Sequence, residues 1–369
     1  MKAIAVVAGK TDVHIVDRPE PVITAPDEIK VRIVRVGICG TDREEITGWT
    51  VAPAGQGDLV MGHENFGQVV AVGSAVTRLQ VGDYCVFTVR RGCGRCLPCN
   101  MNRSDMCTTG DYVERGIMRA DGFQAEYVVD KEQYAVRVPS EMESLGVLAE
   151  PLSVAEKAID VVLHVQAARL PDAQATPDWL FDRRCLISGL GPIGLLTALA
   201  LRLRGAQVYG LDVVDKDTAR PQWLEHIGGR YIDGRVTPAD QIAGKIGPMD
   251  LIFEASGAPG AAFRAMQALA YSGACVLIGV PHGSRPLPLA EADIIHGLVM
   301  GNRLMIGSVN AARDHFQMAV DDLAQAGRIW GEHVNKLITH HYPYTGFATA
   351  LAEHPADEIK AVIEWAPVM

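Results

Sequence analysis

Two groups of residues in this chain have the types and spacing to hold a metal ion, and a third could cradle a phosphate. Cys93, Cys96, Cys99 and Cys107 follow the pattern C-x2-C-x2-C-x7-C, so four of the eight cysteines fall within fifteen residues. Four thiolates on one loop can close a tetrahedral shell around Zn2+, and a closed shell leaves no position for a reacting molecule, so this ion would be structural. The lobe around them, 90–110, carries Gly92, Gly94 and Pro98 and little apolar content. Metal would therefore supply most of its local stability. An iron–sulfur cluster or free thiols are weaker readings, because neither accounts for the second group. That group is dispersed: Cys39 in GICGTD, His63-Glu64 in GHE, and Glu150 in AEP. A lone Cys in an apolar segment is usually core, and a lone Glu-Pro usually begins a helix. Together, one thiolate, one imidazole and two carboxylates make a mixed donor set suited to zinc.

The third group is Gly189-Leu190-Gly191-Pro192-Ile193-Gly194, a G-x-G-x-x-G turn that follows the apolar run CLIS and opens an apolar helix. In that context the first glycine permits a tight turn. The second lets the backbone approach a pyrophosphate resting on the helix N-terminal amides, and the third allows close strand–helix packing. Asp212 ends the next strand, QVYGLD, twenty-three residues after Gly189, near the spacing at which an acid meets the adenosine ribose hydroxyls. Val213 and Val214 offer no cation and Asp215 adds a second negative charge. A 2′-phosphate beside Asp212 would meet about 3–4 kcal/mol of repulsion at ~4–5 Å and an effective dielectric of ~20. NAD is therefore expected ahead of NADP, with Lys216 and Arg220 the cations that could narrow the preference.

These residues need two different frameworks. Up to about residue 150 the chain reads as short β-branched strands broken by Gly and Pro, among them VRIVRVGI (31–38), NFGQVVAVG (65–73) and DYCVFTV (83–89). Then the texture changes. Residues 152–170 have helical spacing, and 185–215 read strand, glycine turn, helix, strand. DLIFEASG (250–257) and ACVLIGVP (274–281) are further buried strands, with AAFRAMQALAYSG (261–273) between them as a helix closed by Gly273. Such alternation signals a parallel sheet. From about Met305 another strand, a helix over 315–327 and a short strand over 360–366 are expected to return to the first domain. The fold class is thus α/β, a β-rich domain at 1–156 and 309–369 with a doubly wound parallel-sheet domain at 157–308. The stretch 171–178 reads as an exposed loop, and Cys85, Cys185 and Cys275 as core.

Composition narrows the partners. With 369 residues, 48% hydrophobic and 21% charged, the chain can bury a large core. Its net charge of −10, from 34 basic and 44 acidic residues, disfavours nucleic acid, which demands clustered Lys and Arg. Apolar runs stay below the ~18 residues of a membrane span, and the N-terminal MKAIAVVAGK alternates like a strand with no cleavage site after it. A cytoplasmic location is expected.

In the order GICGTD, GHE, the four-cysteine lobe and GLGPIG, the chain resembles the zinc-dependent medium-chain alcohol dehydrogenase family over its whole length. RRGCG entering the lobe, Glu114 after it, EPLSVAEK at 150–157 and IHG, IGSVN and HFQMAV nearer the C-terminus are similar to the glucose dehydrogenase branch. The resemblance implies a GroES-like catalytic domain with a Rossmann domain inserted, and two zinc ions per chain. It implies that Cys39, His63 and either Glu64 or Glu150 ligate the catalytic zinc, with Thr41 bonding the reacting hydroxyl. Glu114, Glu150, His296 and Asn310 would line a sugar site. Cofactor contacts would come from Gly189 to Gly194, Asp212, Ile278, Gly279, Val280, Ser308, Val309 and Asn310. The implied activity is hydride transfer from a sugar hydroxyl, C1 of an aldose such as glucose, to NAD or NADP. The implied assembly is a homodimer or homotetramer.

Three departures bear on this. Val89 stands where the glucose enzymes often carry Asn, and Val213 and Val214 replace arginines that hold a 2′-phosphate in NADP-using relatives. No histidine follows Thr41 where alcohol dehydrogenases keep a proton-relay imidazole. A sorbitol-type or threonine-type dehydrogenase is the alternative within enzymes. A non-catalytic scaffold is disfavoured, since every expected ligand and phosphate-turn residue is present. His282, His315, His333, His340 and His341 are assigned no chemistry.

Overall fold

The computed structural model describes residues 1–281 and 290–365. His282, and Ala366 at the end of the expected last strand, lie outside them. The chain forms two compact units, Met1–Ser153 with Asn310–Ala324 and Val334–Met369, and Val154–Val309 with Gln325–His333. The boundaries differ from those expected by a few residues, and 325–333 groups with the second unit.

The first unit is built on strand Glu28–Ile38. Ile29, Val31 and Ile33 point into the core while Lys30 and Arg32 are half-buried, the period of two that a one-faced strand requires. It pairs with Glu64–Val72 along one edge and with Tyr127–Lys131 and Lys360–Glu364 along the other, all antiparallel. Tyr84–Phe87, Ala135–Val138 and Ile338–Pro343 complete a seven-stranded sheet. Its core gathers Val69, Cys85, Phe87, Phe123 and Val128. A separate three-stranded sheet joins Arg90–Arg91, Val113–Arg115 and Arg119–Ala120, placing Arg90 opposite Glu114.

The second unit is a six-stranded parallel sheet. Numbered along the chain from Arg184–Ser188, its strands lie in the order 3-2-1-4-5-6, that of a dinucleotide fold. Cys185, Leu186 and Ile187 are fully buried, as strands covered on both faces demand.

Two expected elements are corrected. The helix read over 261–273 is Pro259–Ala265 with one 3-10 turn to Ala268, and strand Leu269–Leu277 takes over from there. Leu269 already pairs with Met249, so ladder hydrogen bonds claim residues whose apolar spacing also suits a helix. The strand near Met305, Leu304–Gly307, does not return to the first unit but pairs with Ala274–Leu277 at the sheet edge. His315 is buried, and its Nδ1 accepts the Ala312 N–H at 3.0 Å near the start of helix Arg313–Trp330, a structural role. No helix of the described residues is long and apolar enough to cross a membrane.

A half-buried charge cluster braces the first unit. Asp130 accepts from Arg91 Nη2 at 2.7 Å and Arg115 Nη1 at 2.6 Å, and the two guanidiniums lie over the rings of Tyr134 and Phe123. Burial pushes the Asp130 carboxyl up, but the two cations outweigh it and hold its pKa below the ordinary value. The stabilisation is thus complete above about pH 4 and is lost as pH falls through the lower folded-state pKa. Asp130→Ala leaves two half-buried cations without their shared partner, so urea unfolding at pH 7 should show a loss of about 2 kcal/mol. That deficit should shrink as the pH is lowered below about 4.

Candidate active site

The end of strand Glu28–Ile38 sets the first metal-ligand group. Gly37 pairs with Glu64 across the ladder, and a Cβ on Gly37 would overlap the Glu64 carboxylate, so a larger residue there would displace that carboxylate. Cys39 follows directly and caps the short helix Gly40–Glu44, with Asp42 Oδ2 accepting the Cys39 N–H at 2.7 Å. The ligand atoms of Cys39, His63 and Glu64 all lie within 4.8 Å of one another. Thr41 Oγ1 is 3.8 Å from Cys39 Sγ. Glu150, in the first turn of helix Ala149–Ala167, is buried, and its charge is felt at His63, but it stands outside that close cluster.

The electrostatics favour a cation here. His63 Nδ1 lies 3.6 Å from Asp42 Oδ1, and both atoms are buried without a hydrogen-bond partner among the described residues. Burial works against a charged His63, yet Asp42, Cys39 and Glu150 outweigh it and hold the imidazole pKa well above its usual value. The Glu150 carboxyl is pushed up to about 7, chiefly by burial, with His63 opposing and Glu64 adding. Asp42 is raised for the same first reason. Acidic groups thus outnumber the basic ones in a dry site, and a zinc ion among Cys39, His63 and a carboxylate would answer that excess with a donor set it accepts.

Two participants escaped sequence reasoning. Lys360 is fully enclosed, ion-paired with Glu64, and donates to the Ile38 carbonyl at 2.8 Å. Its signal was a lysine opening the apolar strand KAVIE. Glu45 is fully buried, with no hydrogen-bond partner for either carboxylate oxygen among the described residues, and burial, then Asp42, drives its pKa well up. Nothing local in the sequence marks it.

In the lobe, the sulfurs of Cys93, Cys96, Cys99 and Cys107 also fall within 4.8 Å of one another. Cys93–Cys99 and Cys96–Cys107 are 3.9 and 4.0 Å apart. Hydrogen bonds from Thr109 bring the Cys107 thiol down to about 5 and backbone N–H groups bring Cys96 to about 7, so these two become thiolates readily, whereas burial above all pushes Cys99 up to about 12 and its proton must be displaced by the ion.

Of the expected sugar contacts, Glu114 and Asn310 meet: Asn310 Nδ2 donates to Glu114 Oε1 at 2.7 Å. His296 is exposed on helix Glu291–Met300 of the second unit. Val89 is buried.

In the second unit the three glycines have distinct surroundings. Gly189 has φ of +91° and faces the Ser256 backbone, and a Cβ on Gly194 would overlap the Gly189 carbonyl. Gly191 has open space beside it and is the N-cap of helix Pro192–Leu203, with Leu190 just before the helix entrance and Pro192 and Ile193 in its first turn. Asp212 Oδ2 accepts the Leu190 N–H at 2.7 Å and Oδ1 the Val213 N–H at 2.6 Å. A cavity of about 280 Å3 lies beside it, lined by Gly189, Asp212, Val213, Ser256 and Arg264 among others. Ile278 and Gly279 donate to the Glu254 carbonyl, and Val280 is exposed. Ser308 donates its N–H to Leu277 O, and the Val309 carbonyl accepts from Lys157. All sit at or beyond the carboxyl ends of the parallel strands, where such sheets bind ligands.

Sheet order and glycine turn together are those of a dinucleotide-dependent dehydrogenase, and the β-rich unit with two zinc-type ligand groups narrows the class to the zinc-dependent medium-chain enzymes. Comparison narrows it again. The alcohol dehydrogenase GroES-like domain matches residues 25–140, and the glucose dehydrogenase C-terminus matches 143–365. A glucose 1-dehydrogenase of Methanocella arvoryzae is 37% identical over 89% of this chain and 90% of its own. Glucose 1-dehydrogenase 1 of Caldivirga maquilingensis is 35% identical over 100% of both. The structure of Haloferax mediterranei glucose dehydrogenase, in complex with NADP, Zn and gluconolactone, covers 100% of both chains with a TM-score of 0.87 at 32% identity. The chain belongs to the glucose dehydrogenase branch of the zinc-dependent medium-chain family.

The glycine surroundings separate binding from folding. Gly191→Ala should leave the melting temperature within about 2 °C while weakening NADH binding, followed by fluorescence titration, at least about tenfold. Gly194→Ala should lower both.

Proposed function

We propose that this protein is a zinc-dependent aldose 1-dehydrogenase that oxidises an aldose such as glucose at C1 to the lactone, with NAD as its preferred cofactor. The observation that carries the reading is the buried, acid-rich cluster of Cys39, His63 and Glu64 with Glu150 beside it. When bound there, zinc polarises the sugar hydroxyl and lowers its pKa, as it lowers that of water to about 7, and the nicotinamide supplies the hydride acceptor. The chain's own residues do the rest. Cys39, His63 and a carboxylate hold the ion, and Lys360 fixes Glu64 in place. The Thr41 hydroxyl takes the hydrogen bond of the reacting oxygen and passes its proton outward. Glu114 and Asn310 orient the sugar hydroxyls. The four-cysteine lobe holds the second zinc.

The cofactor preference rests on Asp212 and what surrounds it. Arg235 is engaged by Asp233 and Asp215, each at 2.7 Å, and Lys216 by Glu225 at 3.3 Å. Arg264 also lines the adjoining cavity, so NADP is disfavoured rather than excluded. Because Val89 is buried and offers no amide, a polyol substrate is the second reading. A homodimer or homotetramer is expected, and helix Glu291–Met300 leaves Ile295, Val299 and Met300 exposed for contacts.

Metal analysis should find about two zinc ions per chain, and Cys39→Ala or His63→Ala should leave about one, with turnover down at least about a thousandfold and NADH binding retained. Substantial activity in both variants would end the proposal. In a panel of aldoses and polyols, aldoses with NAD should give the highest kcat/KM. Asp212→Ala should lower the NAD-over-NADP ratio at least about tenfold, equivalent to ~1.4 kcal/mol, and an unchanged ratio would remove that role from Asp212.

A further inference from the structure

Glu114 is held in an unequal way. Its Oε1 accepts hydrogen bonds from Arg90 Nε at 3.0 Å and Asn310 Nδ2 at 2.7 Å, and lies 2.9 Å from Arg90 Nη2 in the same ion pair. Its Oε2 has no protein donor among the described residues. A carboxylate anchored through one oxygen cannot rotate freely, and it presents the other as an acceptor in a fixed direction.

The anchor is itself anchored. Arg90 is buried, and its guanidinium lies 3.9 Å over the ring of Tyr112. Its remaining donor, Nη1, reaches the backbone carbonyl of Asp105 at 3.0 Å. Asp105 belongs to the cysteine lobe, two residues before Cys107, and its buried carboxylate is gripped by Arg103 at 2.9 and 2.8 Å. Ser104 Oγ bonds back to the Arg90 carbonyl at 3.3 Å. A planar fork is the one cationic side chain that can span two acceptors in set directions; an ammonium acts as a point.

We propose that Arg90 is a positioning residue for the sugar-binding carboxylate of Glu114, tying that carboxylate to the backbone of the cysteine lobe. The inference rests on Glu114 being a sugar contact, as proposed above. It gives the lobe a task beyond stability: its fold sets the Asp105 carbonyl, that carbonyl aims Arg90, and Arg90 aims Glu114. Misplacement of a substrate-orienting group by about 1 Å can cost up to about a hundredfold in efficiency.

The test uses the zinc-loaded full-length enzyme with D-glucose. Arg90→Lys keeps the charge and loses the fork. It should raise the glucose KM about tenfold or more, change kcat less than about threefold, and leave NADH binding and zinc content unaltered. A merely structural role would instead lower the active fraction at constant KM. Glu114→Gln should raise KM as well, and adding Arg90→Lys to it should change KM less than about twofold, because the second residue acts through the first. If Glu114→Gln raises KM but Arg90→Lys does not, or if the two effects multiply, the positioning role is overturned. If Glu114→Gln leaves KM unchanged, the sugar contact itself falls and the inference with it. Should Arg90→Lys lose zinc or fail to fold, Tyr112→Leu removes only the supporting ring. It should raise KM about threefold, and no change there overturns the proposal.

Discussion

Charge taken out of water has to be answered by charge, and the region around Cys39 is organised by that requirement. Asp42, Glu45, Glu64 and Glu150 are all buried there, with the Cys39 thiol beside them. Against them the protein sets one imidazole and one lysine. The rise in the His63 pKa, the raised carboxyl groups of Asp42 and Glu150, and Asp42 Oδ1 and both Glu45 oxygens, which have no hydrogen-bond donor among the described residues, express one shortage of positive charge. The β framework holds these groups together despite their repulsion. The ladder pairing Gly37 with Glu64 and the helix that Cys39 caps leave the ligands little freedom to separate.

Much of this was legible in the sequence, for a physical reason: metal and phosphate chemistry needs particular residue types at short spacings. The cysteine lobe and the glycine turn are such local patterns, and in the structure the four sulfurs converge and each glycine has its own steric surroundings. The dispersed group Cys39, His63, Glu64 was readable only as a set, and the fold brings those three together with Glu150 nearby. What could not be read was whatever depends on long-range register. Lys360 looked like an ordinary strand residue until pairing with Glu28–Ile38 carried it beside Glu64. The helix read over 261–273 failed because an apolar run of that length satisfies either period until a neighbouring strand claims it.

The two units draw on different kinds of order. In the second, the candidate cofactor residues come from successive strand ends, so one sheet topology positions them together. In the first, single side chains at loop and strand termini must each be fixed separately, and that demands polar networks such as half-buried Asp130 with Arg91 and Arg115. Such networks are valuable only when fully satisfied, which makes the first unit the more sensitive to single polar substitutions.

The Lys360–Glu64 contact bridges 296 positions along the polypeptide. Thermodynamically that separation matters little, since a loop of this length costs only about 0.6 kcal/mol more to close than one half as long. Kinetically it matters more, because non-local strand pairing is slow to find. Until strand Lys360–Glu364 docks, Glu64 lacks the ammonium that fixes it, and the ligand cage has one loose wall. The cysteine lobe is closed by neighbours in the chain, whereas the dispersed cage depends for its geometry on a distant strand joining the sheet.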